Sequence, residues 1–552
     1  PNLLAFANST LTIAPGQPGI PTTIDSVIQS RVLSQLPTDS NFTGGDGLNT
    51  AGYRLLRRQD QTRDQIASRV DVDINDENSF LFIYNYNKEV NLRPDIDTGG
   101  FSVVPAGEQF SDNKQYTAAY RRVFSPNVVN EFRGGLFKTE VPFDNTSELP
   151  AFHLAIPLVS NPGNTFMDQG RFTESWNFQS NGDWIRGNHS FKFGGQLQWF
   201  KVDAYNDAGI LPTVTLSTGT GTPAFVQSNF PGGISTGGRN TANSMLALFG
   251  GIVTSTAQSF NVASLDTGFE AIRVTEPIRH GAHSLYFADR WQIHPELTLS
   301  LGVRWELYPA MTLASGLALE PQIDDPHDPL PSLLRQNGTY VPIGTNAGKE
   351  HAYYKTQYDN FAPNLGFAWS PSFESGIGKF LFGNRTVIRG GYSHAFGNDS
   401  IITSIRNASL GNDGLARTAI TVPNQNRRLA AGTFVLPTTP PFIAPPRTYL
   451  QNNTSTANFF GTVFAVDPKI EVSRVQQYSL GIQREFWGNT ALEVRYVGTR
   501  SNNMVRSVDY NQIDVRANGF AADFIRAANN LKLCDATAGC TTGGDFNAAI
   551  PG

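Results

Sequence analysis

The chain has 552 residues, with 42 basic and 47 acidic side chains, and it contains 38 Phe, 17 Tyr, 52 Gly and 33 Pro. A net charge of −5 gives no electrostatic basis for nucleic-acid binding. No run of about 18 apolar residues occurs, which excludes a helical membrane protein, and the aromatic, turn-rich composition favours β structure.

The sequence divides into three regions by pattern. Residues 1–60 read as the start of the main region without clean alternation, residues 61–500 alternate repeatedly, and residues 501–552 read as a loop region leading to further strands. No signal-peptide pattern follows Pro1, and the segment before Gly552 does not resemble a closing strand. We therefore expect a fragment, or a mature chain that lacks both ends.

Paired alternating segments begin after residue 60. In residues 65–74 apolar and charged side chains alternate, a polar NDEN follows, and residues 79–88 are aromatic, which predicts a hairpin. The same arrangement recurs in 116–137, 175–200, 283–308 and 478–498. We count about fourteen or more candidate spanning strands between residues 62 and 500.

Residues 297–308, LTLSLGVRWELY, carry the clearest alternation. Odd positions are apolar throughout, whereas even positions are polar, charged or Gly, with Tyr308 last. A strand of a soluble sandwich also alternates, but it usually has about five or six residues, whereas a strand that crosses a bilayer needs about 9–11. The length therefore favours a membrane strand.

The connections between strands differ in length. Tight turns join the members of each pair, while long polar stretches lie at about 141–171, 309–359, 398–470 and from 501 onward. Short periplasmic turns and long extracellular loops are typical of outer-membrane barrels. The predicted fold is therefore all-β, a large antiparallel transmembrane β-barrel, and because a barrel in lipid must close, we expect strands beyond this sequence.

Aromatic side chains at or near the strand ends predict an interfacial girdle, with core aromatics as the alternative. The girdle candidates are Trp291, Trp305, Tyr308, Trp369, Trp487 and Tyr496. Alternate residues of a strand point to opposite faces, so where the apolar residues face lipid, the polar residues between them face the lumen. The candidate lumen residues are Arg304, Glu306, Arg389, Gln477, Gln483, Glu493 and Arg495. For this second set we expect structural contacts more than direct contacts with a solute.

No catalytic, cofactor or metal pattern emerges, so we expect no enzyme. Either His280 with His283, or His327 with its neighbouring Asp residues, could in principle hold a metal. Because neither segment has a known metal-binding spacing, we interpret the first as the start of a strand and the second as a solvated loop. Cys534 and Cys540, close together in a Gly- and Thr-rich loop, form either a small disulfide or two free thiols.

The sequences of several predicted hairpins resemble those of one protein family. Residues 287–309, 360–371 with 385–396, and 475–501 look like the barrel of TonB-dependent outer-membrane receptors of the Oar-like group, and 47–74 and 187–200 resemble its earlier parts. The resemblance covers about residues 20–530 and implies about twenty-two strands in the intact protein, around a plug. On this resemblance we expect the plug domain and the segment that meets the TonB complex to be absent from this chain.

The resemblance implies a receptor in the Gram-negative outer membrane that imports a scarce solute with TonB-coupled energy. Its partners would be outer-membrane lipid, the TonB complex, the plug and a small ligand, for which a saccharide, a peptide and a chelate fit the loop composition equally well. One alternative is an Oar-type barrel that serves adhesion or secretion, since fold does not fix function. A soluble secreted β-sandwich binding protein is the other.

Overall fold

The computed structural model describes residues 2–13, 15, 18–44, 52–325, 327–335, 337–342, 353–383, 385–412, 415–421, 427–449, 463–467, 469–486, 488, 490–510, 515 and 517–535. The chain forms two compact units, residues 1–504 and 505–552. The described strands are β1 Gln61–Asn75, β2 Asn78–Leu92, β3 Gly107–Ser125, β4 Val128–Asn145, β5 His153–Ala155, β6 Gln169–Arg186, β7 His189–Asn206, β8 Thr213–Leu216, β9 Ile252–Ser264, β10 Gly268–Glu270, β11 Val274–His294, β12 Leu297–Leu307, β13 Thr312–Leu313, β14 Leu319–Pro321, β15 Thr339–Pro342, β16 Phe361–Trp369, β17 Thr386–Gly397, β18 Ala416–Thr421, β19 Arg427–Arg428, β20 Arg447–Thr448, β21 Ser473–Glu485 and β22 Ala491–Asn502.

Helices occupy a smaller part of the described chain. They are α1 Asn2–Thr10, α2 Ser26–Arg31, α3 Thr236–Gly250, α4 Leu330–Leu334, α5 Gly376–Leu381, α6 Asp399–Gly411 and, in the second unit, α7 Phe520–Asp535. Short 3₁₀ turns lie at Leu33–Gln35 and Gln227–Asn229. Among the described residues, no helix is long and apolar enough to span a bilayer.

One large antiparallel sheet dominates the first unit. Its main path runs β1-β2-β3-β4-β6-β7-β11-β12-β16-β17-β21-β22, so each long strand pairs with the next long strand in the chain. The predicted all-β fold with a large antiparallel sheet is confirmed, with twelve long strands on this path in the described residues, where the pattern suggested about fourteen. Within the same residues, β1 pairs only with β2 and β22 only with β21.

Long strands follow from the alternation, and tight turns fix their register. The β6–β7 turn is only Gly187 and Asn188, and Gly187 has φ +60°, a conformation that glycine adopts without steric cost. Arg186 therefore pairs with His189, and the ladder continues without a shift to Gln169 and Asn206. Strands such as β11, with 21 residues, exceed what a bilayer requires, so they extend well beyond it.

Short and long connections lie at opposite ends of the sheet. The turns after β1, β3, β6, β11 and β21 are short, and the 370–385 connection after β16 holds α5 on the same side. The long connections are 93–106, 146–168, 207–273, 308–360 and 398–472. Residues 207–273 were not among the predicted long stretches.

Several long connections fold together instead of remaining separate loops. A second sheet joins β5, β8, β9, β10, β18 and β19, and α1, α2 and α3 pack against it. We call this assembly the cap, and define it as the described residues of 2–36, 146–168, 207–273 and 415–435. A third small sheet, β14-β15-β20, joins the 308–360 connection to the 398–472 connection.

Candidate functional site

All seven predicted lumen residues share one face of the large sheet. Gly302 pairs with Asn364, Asn364 with Ser393, and Ser393 with Gln477, and directly paired residues project to the same side. Residues two apart on a strand also share a side. This polar face therefore carries Arg304, Glu306, Arg389, Gln477, Gln483, Glu493 and Arg495. That the polar face lines a lumen stays a prediction.

The opposite face of the sheet is apolar and open. Leu299 pairs with Phe367, and along the next strands Leu480 pairs with Tyr496. Leu480 keeps 55% and Tyr496 64% of its surface exposed, and large apolar side chains recur on this face in most long strands. A continuous exposed apolar surface of this kind requires a non-aqueous neighbour, which fits a sheet whose outer face contacts lipid.

Four of the seven residues line one recess on the polar face. The recess has a volume of about 240 Å³ and lies near the short-turn end of β17, β21 and β22. Its walls carry Arg389, Gln483, Glu493 and Arg495, and its floor includes glycine backbone. The guanidinium of Arg495 lies 3.1 Å from the carboxylate of Glu493.

Glu306 organises the other end of the polar face, where β12 leaves the sheet. The Arg304 Nε donates to Glu306 Oε1 at 2.8 Å, and the Tyr308 hydroxyl donates to Glu306 Oε2 at 2.7 Å. Glu306 itself is buried. Tyr308, predicted for the girdle, therefore lies beside a carboxylate on the polar side, because it follows the strand with the parity of Glu306.

The other girdle candidates differ in position. Trp291 and Trp369 lie at the short-turn end of the apolar face, whereas Trp305 lies at the opposite end, where its Nε1 donates to the carbonyl of Tyr358 at 2.7 Å. Tyr496 is in the middle of β22. Trp487 and Cys540 lie outside the described residues, as does the side chain of Cys534, so the girdle and the disulfide stay predictions.

The cap has a hydrophobic core drawn from four separate parts of the sequence. One buried cluster contains Ile28 of α2, Leu154 of the 146–168 connection, Leu248 of α3 and Leu429 of the 398–472 connection. A neighbouring cluster packs α1 against α3. The sequence pattern of these segments did not predict that they pack together, because each segment contributes only a few apolar side chains to the core.

Asp25 links three cap segments through its carboxylate and backbone. Its Oδ1 accepts from the backbone N–H groups of Val27 and Ile28 at the start of α2, while its Oδ2 accepts from the N–H of Ala430 at 2.8 Å. The carboxylate also lies against Gly251, where φ is +59° and a Cβ would meet Asp25 Oδ2 at 2.3 Å. Glycine is therefore required at that position.

Arg428 is the buried cation beside this carboxylate. Its guanidinium donates to the carbonyl of Gly19 at 2.8 Å. Burial lowers the pKa of Arg428 to about 10, and the negative charge of Asp25 opposes that decrease. The Arg428–Gly19 and Ala430–Asp25 hydrogen bonds hold the 415–435 segment against the beginning of the chain.

A second buried carboxylate lies in the three-stranded sheet. Burial raises the pKa of Glu320 to about 7, while the hydrogen bond from the Val466 N–H to its Oε1, at 3.0 Å, acts in the opposite direction. The amide of Asn412 donates to the carbonyls of Leu319 and Phe464. These contacts fasten the 308–360 and 398–472 connections to each other.

Within the described residues, the histidines singled out by the sequence contact aromatic or polar side chains. His280 stacks on Phe200 with ring centroids 4.5 Å apart, and His283 packs against Trp199. His327 contacts the amine of Lys469 in the connections. In the described part of the chain, no group of three or more His, Cys, Asp or Glu side chains is placed to hold a metal ion.

Comparison with known proteins places the chain among membrane barrels. The model of the family described as "Outer membrane beta barrel domain" matches residues 5–548. No curated protein matches the sequence significantly.

Solved structures that match the chain include the outer membrane transporter YddB from Escherichia coli, with 12% identity, a TM-score of 0.38, and coverage of 79% of this chain and 40% of that chain. The ferripyoverdine receptor of Pseudomonas aeruginosa gives 10% identity, a TM-score of 0.36, and coverage of 81% and 42%. The siderophore receptor PirA from Acinetobacter baumannii gives 9%, 0.35, and coverage of 81% and 44%. The chain thus spans less than half the length of these structures.

Proposed function

The chain belongs to the family of outer membrane beta barrel domains, and from this premise we propose that it is the wall of a TonB-dependent receptor of the Oar-like group. Its location is the outer membrane of a Gram-negative bacterium. The activity we propose is import of a scarce solute, with no catalytic step.

The observation that carries the proposal is the shared core of the cap. Four segments of the chain contribute to one buried cluster, at the end of the sheet that bears the long connections. In an outer-membrane barrel that end faces the exterior. A folded cap holds its surface side chains in place before a solute arrives, so less conformational entropy is lost on binding than with mobile loops.

The polar face supplies a route from the cap to the short-turn end. Charged and amide side chains follow it from Glu306 to Arg389, so a hydrated solute would meet polar groups along its length. The recess at the far end offers Arg389, which has no hydrogen-bond or ion-pair partner among the described residues. We assign this recess to contacts with a plug supplied by the complete protein.

Transport would then require energy, because a plug that blocks the lumen must move. In the proposed cycle the solute binds at the cap, and the TonB complex displaces the plug through a segment outside this chain. The solute then passes along the polar face to the periplasm. Arg304, Glu306 and Arg495 keep the wall ordered in both states, since each is held by another side chain of the wall.

The test is accumulation of labelled solutes by intact cells. A strain without the complete gene is compared with its parent, in the presence and absence of TonB, using a labelled oligosaccharide, a labelled peptide and a ferric chelate as probes. We expect one probe class to depend on both the gene and TonB. Normal accumulation of all three classes together with altered cell adhesion would contradict import and favour a surface role.

A pair of cap variants sharpens this test. Leu429 is buried in the cap core, whereas Leu436 is exposed only seven residues later. Leu429→Asp should open the core and abolish accumulation, because a buried carboxylate without a partner is costly. Leu436→Asp is the matched control and should leave accumulation unchanged.

A further inference from the structure

A row of charged side chains crosses the apolar face toward the end that bears the long connections. Leu301 pairs with Asp289, and Asp289 pairs with Phe191, so the odd positions of β7 lie on the apolar face. Lys201 shares this parity. Residues paired directly with one another continue from it across neighbouring strands. We call them the cationic row and define it as Lys114, Lys138, Glu174, Lys201 and Arg279.

The cationic row lies just beyond the apolar band of the sheet. On β7 the apolar face carries aromatic, aliphatic or glycine residues from Phe191 to Trp199, and Lys201 is the next residue on that face. From His189, at the short turn, to Trp199 the strand advances ten residues, or about 33 Å, and a tilt of about 40° reduces this to about 25 Å of depth, the height of the apolar band of a membrane barrel. The cationic row therefore lies at the level of the head groups, and the long connections identify this boundary as the outer one.

Aromatic rings mark the same boundary. One outward position closer to the short turns, Tyr116 lies on β3, Trp176 on β6 and Trp199 on β7. Tryptophan and tyrosine rings are enriched where hydrocarbon meets water. The rings of Trp176 and Trp199 thus lie directly below the charged side chains of the cationic row.

Both ends of the cationic row have a carboxylate of their own. Lys114 Nζ lies 2.8 Å from the carboxylate of Asp112, which is one outward position farther from the hydrocarbon. The guanidinium of Arg279 lies 2.6 Å from the carboxylate of Asp203, which is displaced in the same direction. The charges at the two ends are therefore compensated by the protein itself.

The centre of the cationic row carries an excess of positive charge. Glu174 lies between Lys138 and Lys201, with its Oε2 3.4 Å from Lys138 Nζ and its Oε1 3.2 Å from Lys201 Nζ. The Trp176 Nε1 donates to the same Oε1 at 2.6 Å. In the described part of the chain, no other carboxylate pairs with either lysine. Two ammonium groups thus share one carboxylate.

Both central ammonium groups are accessible from the membrane surface. The side chain of Lys138 keeps 51% of its surface exposed and that of Lys201 keeps 52%. An ammonium group has three N–H donors, and a long lysine side chain extends its charge toward the head groups. Donors remain on both lysines after the contact with Glu174, so an anion in the bilayer surface can accept from them.

We propose that Lys138 and Lys201 bind the phosphate monoester of a glycolipid in the outer leaflet of the outer membrane. Both ammonium groups lie beside a single carboxylate, so they are close enough for one phosphate to accept from both. The rings of Trp176 and Trp199 contact the adjoining sugar and the upper acyl segments. The inference rests on the assignment of the apolar face to lipid and is independent of TonB, the plug and the solute.

A monoester is specified because of its charge. A phosphate monoester carries a charge of about −1.5 to −2 at pH 7 and has three acceptor oxygens. It therefore competes better with Glu174 for the two ammonium groups than the phosphodiester of an ordinary phospholipid. Charge-assisted hydrogen bonds to phosphate are also among the strong ones.

The experiment uses the complete protein, purified from outer membranes and delipidated in mild detergent. It is equilibrated with an equimolar mixture of lipid A, the same lipid A with its phosphates removed, and phosphatidylglycerol. EDTA is present so that no divalent cation bridges lipid and carboxylate, and the retained lipids are measured by native mass spectrometry. We expect about tenfold preference for lipid A over its dephosphorylated form. Equal retention of these two, or preferential retention of phosphatidylglycerol, would overturn the proposal.

Free phosphate is distinguished in the same assay. Excess inorganic phosphate should leave most of the lipid A bound, because a free anion lacks the sugar and acyl chains that contact the aromatic rings. Complete displacement of lipid A by inorganic phosphate would assign the two lysines to a free anion and overturn the lipid proposal.

Variants assign the preference to the two lysines. Lys138→Gln combined with Lys201→Gln should reduce it to less than about twofold, whereas Lys138→Arg combined with Lys201→Arg keeps both charges and should retain it. Lys192→Gln is the matched control, because Lys192 lies on β7 but pairs with Asp183 on the polar face. Full preference in the double Gln variant would contradict the assignment.

The salt dependence of the parent protein decides the matter should the double Gln variant fail to fold. Salt screens contacts between exposed charges, so the preference for lipid A should fall as the salt concentration rises. A preference that does not change with salt would contradict a site made by two exposed lysines.

Discussion

The carboxylate of Asp25 accepts a hydrogen bond from the backbone N–H of Ala430, although 405 residues separate them in the chain. One oxygen of the same side chain caps α2, and the other reaches the segment that follows β19. The beginning of the sequence and a distant connection thus share a single buried anchor, which explains why the cap folds as a unit.

Removing this anchor should loosen the cap and leave the large sheet intact. Asp25→Ala removes the N-cap side chain of α2 and leaves the Ala430 N–H and the Arg428 cation without the carboxylate. We therefore expect the free energy of unfolding of the cap to fall by about 2 kcal/mol. Hydrogen exchange in 19–36 and 427–435 measures it. Asp39→Ala, at an exposed position of the same segment, is the control, and equal exchange in both variants would refute the role of Asp25.

The stability of the small β14-β15-β20 sheet should respond to pH through Glu320. Its pKa in the folded protein is about 7, above its ordinary value of 4.5, so the folded state binds the proton more tightly than the unfolded state. The stabilisation is fully present below about pH 4.5 and is lost as pH rises through 7, by about 3 kcal/mol. Protection factors from hydrogen exchange in β14 and β15, corrected for the intrinsic exchange rate at each pH, measure this loss.

Glutamine at position 320 tests the origin of the pH dependence. Glu320→Gln keeps an acceptor for the Val466 N–H but cannot ionise, so the protection factors of β14 and β15, which are corrected for the intrinsic exchange rate at each pH, should no longer vary between pH 4.5 and 7. Glu374→Gln, at an exposed site after β16, should retain the full variation. An unchanged pH profile in Glu320→Gln would show that another group is responsible.

Two Arg–Glu pairs on the polar face should differ in importance. Glu306 keeps 11% of its side-chain surface exposed and holds both Arg304 and Tyr308, whereas Glu493 keeps 49% and contacts Arg495. Glu306→Ala should cost about 2–3 kcal/mol, because two donors lose their acceptor, and Glu493→Ala less than about 1 kcal/mol. Unfolding of the complete protein in urea compares them, and equal losses would be inconsistent with this ranking.

The two faces of β16 should tolerate charge differently. Leu365 lies on the apolar face and Asn364 beside it on the polar face. Leu365→Arg places a cation in lipid at a cost of about 2–4 kcal/mol, so we expect less folded protein in outer membranes. Asn364→Arg should assemble as the parent does. Heat-modifiable mobility on gels reports folding, and similar yields for both variants would count against the face assignment.

Alternation made the large sheet predictable, because its period of two is local information. The alternating segment 297–308 matches the bounds of β12 to within one residue. The hairpin predicted in 65–88 corresponds to β1 and β2, both of which extend beyond the predicted ends. The parity of a strand also grouped Arg304 with Arg389, although they belong to different hairpins. The aromatic type of Tyr308 alone did not predict its location. Tyr308 lies just past the end of β12 but follows the parity of that strand, so its hydroxyl donates to Glu306 on the polar side.

The cap was not predictable from the same kind of pattern. Ile28 and Leu429 meet in one core, but each lies in a short segment without a sustained period, and the contact depends on the whole sheet bringing the connections together. His189 and Asp289 likewise pair across 100 residues. Such contacts arise from tertiary packing, which one sequence does not encode in any short window.

The measurement that tests the central claim most directly is the environment of consecutive residues in β12, with the complete protein in its membrane. Spin labels are placed one at a time at positions 298–304 in a background without Cys534 and Cys540, and collisions with oxygen and with a water-soluble nickel reagent are recorded. We predict oxygen access at Leu299, Leu301 and Val303, and nickel access at Thr298, Ser300, Gly302 and Arg304. Equal access of both reagents at all seven positions would contradict a wall with one face to lipid and the other to a polar lumen.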